Sequence, residues 1–274
     1  MSNLTARLLT AVAVVPLLLA AIFWSNPLGV FAIVFVSTGL GLREWVNMTM
    51  PSAPVFERGF GVLLGLVLSV QLYFCTADGL GLALTLAGMT IASAVYILFR
   101  YGAIETVAAR LAALMTGLMY VSVLLVFVAL LKKLPSGGWW VLLTLTLVWF
   151  SDTGAYFAGR FIGPRFPRKL YEAMSPKKTL IGAFGGLGGS FVATIVAKLF
   201  YLPGLTWLDV IALTIPANVL GQVGDLCESM IKRSVGVKDS GALLPGHGGM
   251  LDRIDALLFA APFIYAYGRY VYLH

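Results

Sequence analysis

Charged residues are scarce in this sequence: aspartate, glutamate, lysine and arginine make up only 11% of its 274 residues, whereas a soluble domain has about 25%. The mean hydropathy is +0.92. Several apolar runs approach or exceed the roughly 18–20 residues that cross a bilayer as a helix. The low charge therefore excludes an ordinary soluble domain, and we expect a polytopic membrane protein.

Cysteine and histidine are also rare, with two of each. Cys75 and Cys227 lie in or beside apolar runs, so they form neither a disulfide framework nor a zinc-binding pattern. The sequence has no Walker motif and no nucleophile elbow. The net charge of +7 is not gathered into a basic stripe with interleaved aromatic residues, so we expect no nucleic-acid partner.

Nine apolar runs predict an all-α fold with about nine transmembrane helices. They cover residues 8–24, 28–46, 60–77, 79–99, 107–131, 138–160, 181–201, 207–231 and 254–272. No linker marks a separate soluble domain. We expect a single integral membrane domain over 1–274, with N-terminal helices over about 1–135 and catalytic helices and loops over about 136–274.

The distribution of basic residues predicts the orientation. With a cytoplasmic N-terminus, 15 of the 19 lysines and arginines fall on the cytoplasmic side, in loops or toward the adjoining ends of spans, and four fall on the outside. Cytoplasmic loops carry an excess of lysine and arginine. The count therefore places the two polar segments at 160–180 and 232–253 in the cytoplasm.

Two aspartates occur where a membrane should exclude charge. Asp152 lies in VWFSDTGAYF, and Asp225 lies in NVLGQVGDLCESMIKR. Ionisable groups within spans are costly and tend to face a cavity, a substrate or a partner on a neighbouring helix. On a helix, Asp225 shares one face with Glu228, Ser229 and Lys232. This favours a functional site over a purely structural charge pair.

A helix that begins near Leu251 would carry Asp252 and Asp255 in its first turn, beside the positive end of the helix dipole. Helix capping is one explanation for Asp252, but it does not explain Asp225. Mg²⁺ is typically held by one or two carboxylates, with substrate phosphates and water completing its shell. The two aspartates Asp225 and Asp252 are therefore a candidate cation site.

A glycine-rich turn precedes that helix. Gly246, Gly248 and Gly249 surround His247, and such a turn can present backbone N–H groups to an anion at a helix N-terminus. Four charged residues flank the turn: Lys238, Asp239, Asp252 and Arg253. The segment predicts a site for phosphate plus metal. His247 could bind metal, act as acid or base, or contact phosphate; we favour orientation or phosphate contact, because no second histidine lies nearby.

Two further segments are polar or rich in glycine. The run SPKKT, with Ser175, Lys177, Lys178 and Thr179, could bind phosphates, or it could reflect the ordinary excess of positive charge in cytoplasmic loops. The run GAFGGLGGS at 182–190 follows no predicted strand, which argues against a dinucleotide loop. Its glycines are paired at a spacing of four, which suits close packing of helices.

Residues 229–255, SMIKRSVGVKDSGALLPGHGGMLDRID, resemble the signature of the phosphatidate cytidylyltransferases, also called CDP-diacylglycerol synthases. That signature runs Ser-x-apolar-Lys-Arg, four residues, Lys-Asp-x-small, a short spacer, and His-Gly-Gly-apolar-x-Asp-Arg-apolar-Asp. Every fixed position is filled in this sequence. Gly224-Asp225 and SPKKT also look like family elements, whereas the first five spans match only in character.

The resemblance implies the reaction CTP + phosphatidate → CDP-diacylglycerol + diphosphate at the cytoplasmic rim of a cell membrane. We expect that membrane to be a bacterial inner membrane. It implies Mg²⁺ held by Asp225 and Asp252, and it leaves open a second metal ion, K⁺ and a homodimer. It implies that four basic residues neutralise the phosphates: Lys232, Arg233, Lys238 and Arg253. Asp239 and Asp255 would orient other groups. Substrate-binding residues would include Asp152, Ser175, Lys177, Lys178, Thr179, Ser229, Gly246, Gly248 and Gly249, with His247 in the active site.

Two other functions compete with this one. A CDP-alcohol phosphotransferase is also a multi-spanning, metal-dependent enzyme, but its Asp-Gly-x-x-Ala-Arg pattern is absent here. A cation-coupled transporter could use Asp152 and Asp225 within the membrane. It would distribute its binding groups across the spans, often in repeated halves, whereas the polar groups here crowd into loops and adjoining helix ends.

Overall fold

The computed structural model describes residues 12, 15–75, 79–100, 102–166, 168–241 and 248–273. In these residues the chain forms helices α1 (15–23), α2 (Leu28–Thr49), α3 (Val55–Phe74), α4 (Gly79–Phe99), α5 (Ile104–Leu131), α6 (Gly137–Phe161), α7 (Leu180–Phe200), α8 (Trp207–Ser234) and α9 (Leu251–Tyr267). A π-helical turn, Leu118–Val123, interrupts α5, and another, Gly268–Tyr272, follows α9.

Seven of the helices in the described part of the chain, α2 to α8, are long and apolar enough to cross a membrane. Large side chains such as Leu80, Leu84 and Leu98 of α4 are exposed, as expected for a helix whose neighbours are lipid tails. The protein is therefore a multi-pass, mainly α-helical membrane protein. Each predicted apolar run overlaps one described helix, while the span count of nine and the cytoplasmic N-terminus stay predictions.

The segment SPKKT is a strand, which corrects the expectation of a loop in a purely α-helical fold. Strand β2 (Ser175–Thr179) pairs antiparallel with β1 (Lys169–Tyr171), with Lys169 opposite Thr179 and Tyr171 opposite Ser175. Pro176 lacks an N–H, but a strand of a two-stranded sheet has one unpaired edge where this loss is tolerated. The polar segment between α6 and α7 thus satisfies part of its backbone by local pairing.

The same strand also corrects one premise about the glycine run at 182–190, because β2 does precede it. The run lies inside α7 and not in a loop. Thr179 caps the helix by accepting a hydrogen bond from the Gly182 N–H over 3.1 Å. A dinucleotide-binding loop remains excluded, because the helical backbone uses the N–H groups that such a loop would present.

The described chain divides into two compact units. The first comprises Met1–Ala21, Leu28–Ala129 and Asp239–Arg253. Its core contains Leu68 and Leu118. The indole of Trp45 donates to the Ala113 carbonyl over 2.9 Å. A buried ion pair joins Glu57 of α3 to Arg110 of α5 at 2.8 Å.

The second unit comprises Ile22–Pro27, Leu130–Lys238 and Ile254–His274. Its helices α6 and α7 pack almost backbone to backbone. A Cβ added at Gly185 would lie 2.2 Å from the Ala158 Cβ, and one at Gly189 would lie 2.0 Å from the Phe150 carbonyl oxygen. No side chain fits at such distances, so the predicted role of these glycines in helix packing is confirmed.

Candidate active site

A cavity of about 410 Å³ lies within the second unit, between β2 and helices α6, α7 and α8. Its polar and charged lining comprises Ser151, Asp152, Tyr156, Arg160, Lys177, Lys178, Thr179, Asn218, Gln222 and Asp225. Leu147, Val148 and Ala217 are part of its apolar wall. The structure therefore brings together the two aspartates that the sequence placed within spans and the lysines of SPKKT, which are distant in sequence.

The central contact of this cavity is an ion pair between Lys178 of β2 and Asp225 of α8. Their side chains are 28% and 31% exposed, so both charges remain accessible from the cavity. Arg160 and Lys177 add two further cations, and Asp152 adds one carboxylate. Charges attract more strongly in a partly apolar cavity than in water, so the excess of positive charge favours a phosphorylated ligand.

A hydrogen-bonded chain of amides and hydroxyls fixes helix α8 beside this cavity. The side-chain amide of Asn218 donates to the hydroxyls of Ser151 over 2.7 Å and Ser190 over 2.8 Å. Gln222 donates to the Asn218 side-chain oxygen over 2.7 Å and to the Ala183 carbonyl over 3.0 Å. Asn218, Gln222 and Asp225 share one face of α8, so these bonds hold Asp225 toward the cavity.

More carboxylates gather where α8 and α9 meet in the second unit. Asp255 lies within electrostatic range of Asp225, Glu228 and Asp152. Gly224 permits the close approach, because a Cβ there would lie 2.6 Å from the Asp255 carbonyl oxygen. Glu228, which is 1% exposed, forms an ion pair with Lys232 one turn further along α8. Glu228 and Lys232 therefore lie on one face of α8, as predicted, and Lys232 is buried against Glu228.

The glycine-rich segment before α9 is held by two carboxylates of the first unit. Glu44 of α2 accepts hydrogen bonds from the Met250 and Leu251 N–H groups over 2.8 and 2.9 Å. Asp252 accepts from the Gly249 N–H over 2.8 Å. Gly248 has a φ of +77°, which lies in the left-handed region that favours glycine. Only Gly248 and Gly249 of the predicted turn lie within the described residues, so the turn as a whole stays a prediction.

These contacts change the expected use of the turn. The turn was expected to present N–H groups to an anion such as a substrate phosphate, yet the Gly249 N–H donates to a carboxylate of the chain itself. The next two N–H groups, of Met250 and Leu251, also donate to a carboxylate. The N-terminus of α9 attracts anions as expected, but the anions are Asp252 and Glu44. The bond from the Gly249 N–H to Asp252 is of the kind that helix capping, one of the two explanations for Asp252, predicts.

The remaining predicted residues have various environments. Arg233, Lys238, Asp239 and Arg253 are exposed, while Ser175 and Ser229 are half-buried. Gly246 and His247 lie outside the described residues. Asp225 belongs to the second unit and Asp252 to the first. Within the described ranges, no three histidine, cysteine, aspartate or glutamate side chains are grouped so that they could hold a metal ion.

Several residues with relevant contacts were not predicted from the sequence. Arg160, Asn218 and Gln222 line the cavity of the second unit, and in the first unit Glu44 holds the start of α9. The signal that identified Asp152 and Asp225, a polar or charged residue inside an apolar run, also applies to Asn218, Gln222 and Glu44. Arg160 was counted only as a marker of orientation.

Comparison with known proteins agrees with the signature. A model of the cytidylyltransferase family matches residues 5–271. A phosphatidate cytidylyltransferase of Brucella suis biovar 1 (strain 1330) is 34% identical over 98% of this chain and 94% of its own length. A phosphatidate cytidylyltransferase of Staphylococcus epidermidis (strain ATCC 12228 / FDA PCI 1200) is 44% identical over 46% of this chain and 47% of its own length.

Proposed function

Since the chain belongs to the cytidylyltransferase family, we propose that it is a phosphatidate cytidylyltransferase. It would convert CTP and phosphatidate into CDP-diacylglycerol and diphosphate. The observation that carries this proposal is the cavity of the second unit, in which basic residues and Asp225 line a space with partly apolar walls. Such a lining suits a reaction between a nucleotide and a lipid phosphate.

The reaction needs little acid or base catalysis. A phosphate oxygen of phosphatidate is already anionic at neutral pH, so it can attack the α-phosphorus of CTP without losing a proton. The new P–O bond forms as the bond from the α-phosphorus to the bridging oxygen breaks, and diphosphate leaves. Catalysis then consists of positioning and of stabilising negative charge.

The basic residues of the cavity supply that stabilisation. Lys177, Lys178 and Arg160 line one space, and together they can offset part of the negative charge that two phosphate-bearing substrates bring. Lys178 is paired with Asp225, so a substrate phosphate would compete with that carboxylate for the lysine. Arg233, Lys238 and Arg253 are exposed. We propose from the family signature that they too offset phosphate charge.

Asp225 and Asp252 fit a hard cation by their donor chemistry, because carboxylate oxygens are the ligands that Mg²⁺ takes most often from proteins. The contact between Asp225 and the Lys178 ammonium group supports this role, because the carboxylate already pairs with a cation. We propose these two residues as the Mg²⁺ ligands. A bound Mg²⁺ would supply Lewis-acid stabilisation of the transferring phosphate and the leaving diphosphate.

We also propose that the site faces the cytoplasm at the rim of a bacterial inner membrane. The distribution of 15 basic residues against four supports this orientation. The relatives named above come from bacteria. Access from the cytoplasm suits the chemistry, because the enzyme must meet a water-soluble nucleotide and a membrane lipid together.

The test is an assay of purified protein in detergent with phosphatidate, Mg²⁺ and labelled CTP. We expect diphosphate and labelled CDP-diacylglycerol in equal amounts, and neither product when phosphatidate is omitted. No diphosphate release with active lipid present would contradict the proposal. Flux of a solute across sealed vesicles without nucleotide turnover would favour a transporter instead.

A further inference from the structure

Glu44 is a buried carboxylate within an apolar helix of the first unit. It lies in α2, a helix apolar enough to cross a membrane, and it is only 7% exposed. A buried carboxylate is costly unless hydrogen bonds or an opposite charge stabilise it. The groups that donate to Glu44 are one hydroxyl and two backbone N–H groups, so hydrogen bonds from neutral donors stabilise its charge.

All three donors come from a single distant segment. The Ser240 hydroxyl donates to one carboxylate oxygen over 2.9 Å. The Leu251 N–H donates to the same oxygen over 2.9 Å, and the Met250 N–H donates to the other over 2.8 Å. Glu44 is about 200 residues away in sequence, yet it ties both ends of residues 240–251 to α2.

Two glycines allow this contact. A Cβ added at Gly241 would lie 2.6 Å from one carboxylate oxygen of Glu44. A Cβ at Gly249 would lie 2.5 Å from the other oxygen and 2.1 Å from the Ser240 hydroxyl. Side chains at either position would therefore displace the carboxylate. The second glycine of the His-Gly-Gly sequence thus has a steric partner, and that partner is Glu44.

The groups that Glu44 holds also hold Asp252. The Ser240 N–H and the Gly249 N–H donate to the same carboxylate oxygen of Asp252, over 3.1 and 2.8 Å. We propose that Glu44 is a positioning residue, which fixes Ser240 and the start of α9 so that their N–H groups orient Asp252. The inference rests on the proposed function to the extent that Asp252 takes part in cytidylyl transfer.

The variant Glu44→Gln removes the charge and places an NH₂ group among N–H and O–H donors, while the side chain keeps its size. Supporting residues of this kind typically change activity about 10- to 100-fold. We expect kcat to fall by that factor, with KM for CTP within about twofold of the wild type, because an interaction lost mainly in the transition state lowers kcat. Glu44→Asp keeps the carboxylate and should recover part of the loss.

Glu57→Gln is the matched control. Glu57 is a second buried glutamate of the first unit, and it pairs with Arg110 away from the glycine-rich segment. This variant should lose stability and keep its kcat. Ser240→Ala removes one donor and retains the carboxylate, so it should fold and show a smaller fall in kcat. Because Ser240 and Glu44 are in contact, the double variant should be non-additive.

Hydrogen exchange provides a measurement that does not need activity. In the wild type, the N–H groups of Ser240, Gly249, Met250 and Leu251 donate to Glu44 or Asp252 and should exchange slowly. We expect peptides covering these residues to exchange at least about tenfold faster in Glu44→Gln and at the wild-type rate in Glu57→Gln.

Unchanged exchange in Glu44→Gln would overturn the anchoring role. Faster exchange with an unchanged kcat would overturn the positioning role, as would an equal loss of kcat in Glu57→Gln. A wild-type protein without transferase activity would instead overturn the proposed function and the catalytic part of this inference. The exchange rates would then still decide whether Glu44 holds the segment.

Discussion

Two regions of the molecule stabilise carboxylates in different ways. In the first unit, Glu44 is held by a hydroxyl and two backbone N–H groups. In the second unit, Asp225 and Glu228 are paired with Lys178 and Lys232. Both regions carry negative charge in apolar helices, but one uses fixed neutral donors and the other uses side-chain cations.

The difference bears on what each region can do. Backbone N–H groups are fixed in position and carry no net charge, so they cannot move from a carboxylate to a substrate phosphate. A lysine is a flexible point charge that can move from a carboxylate to a phosphate. The contacts of Glu44 are therefore suited to permanent support. The partly exposed pair of Lys178 and Asp225 is suited to exchange of partners when a phosphate binds.

Replacing one aspartate by asparagine in each region should have the largest effect on turnover and should distinguish the two roles. We expect Asp225→Asn and Asp252→Asn each to abolish turnover, a loss on the order of 100-fold or more, because each removes a carboxylate proposed to hold the cation that stabilises the transferring phosphate. Only Asp252→Asn should also speed hydrogen exchange in residues 240–251, because its carboxylate accepts from Ser240 and Gly249. Diphosphate release and hydrogen exchange are the measurements.

Asp209→Asn is the control for this comparison. Asp209 lies in the first turn of α8, where it forms a capping box with Thr206 and accepts from the Tyr267 hydroxyl. Weakening these bonds to a charged group should cost about 1 kcal/mol of stability and leave turnover intact. Near-normal activity in Asp225→Asn or in Asp252→Asn would refute the metal-binding role of that residue.

The helices and part of the lining of the second-unit cavity could be predicted from the sequence. The span of apolar runs fixes the helices because a bilayer requires all backbone groups to bond within the segment. Asp152 and Asp225 stood out because charge is rare inside such runs. Both line the cavity, and the start of the last helix at Leu251 agrees with the position expected from the pattern.

Contacts between distant parts of the chain could not be predicted. Glu44 and Ser240 are 196 residues apart, and neither hydrophobic period nor spacing relates them. The glycines before α9 have the composition of a phosphate-binding turn, but composition does not reveal which acceptor their N–H groups find. Glu44 and Asp252 accept from the N–H groups at the start of α9. Such intramolecular acceptors are present whether or not substrate is bound.

The two lysines of SPKKT should differ, and this difference tests whether the second region works by exchange of cations. Lys178→Ala removes the partner of Asp225 and a charged contact worth about 1.5–3 kcal/mol, so KM for CTP or phosphatidate should rise roughly 10- to 100-fold. Lys177→Ala should weaken substrate use only several-fold, because Lys177 is exposed. Unchanged KM and kcat in both variants would reduce this strand to a determinant of orientation.

Glycines make both regions possible, but the glycines of α7 should affect stability more than chemistry. A Cβ at Gly189 would lie 2.0 Å from the Phe150 carbonyl oxygen, whereas one at Gly188 would meet no atom within 4 Å. Gly189→Ala should therefore cost about 1–3 kcal/mol through overpacking and lower the Tm in detergent by several degrees. Gly188→Ala, one residue away in the same helix, should leave the Tm unchanged or slightly higher, because alanine has a higher helix propensity than glycine.

Equal Tm values for the two variants would contradict the backbone contact between α6 and α7. A lower Tm with an unchanged kcat would show that this contact builds the wall of the cavity without taking part in its chemistry.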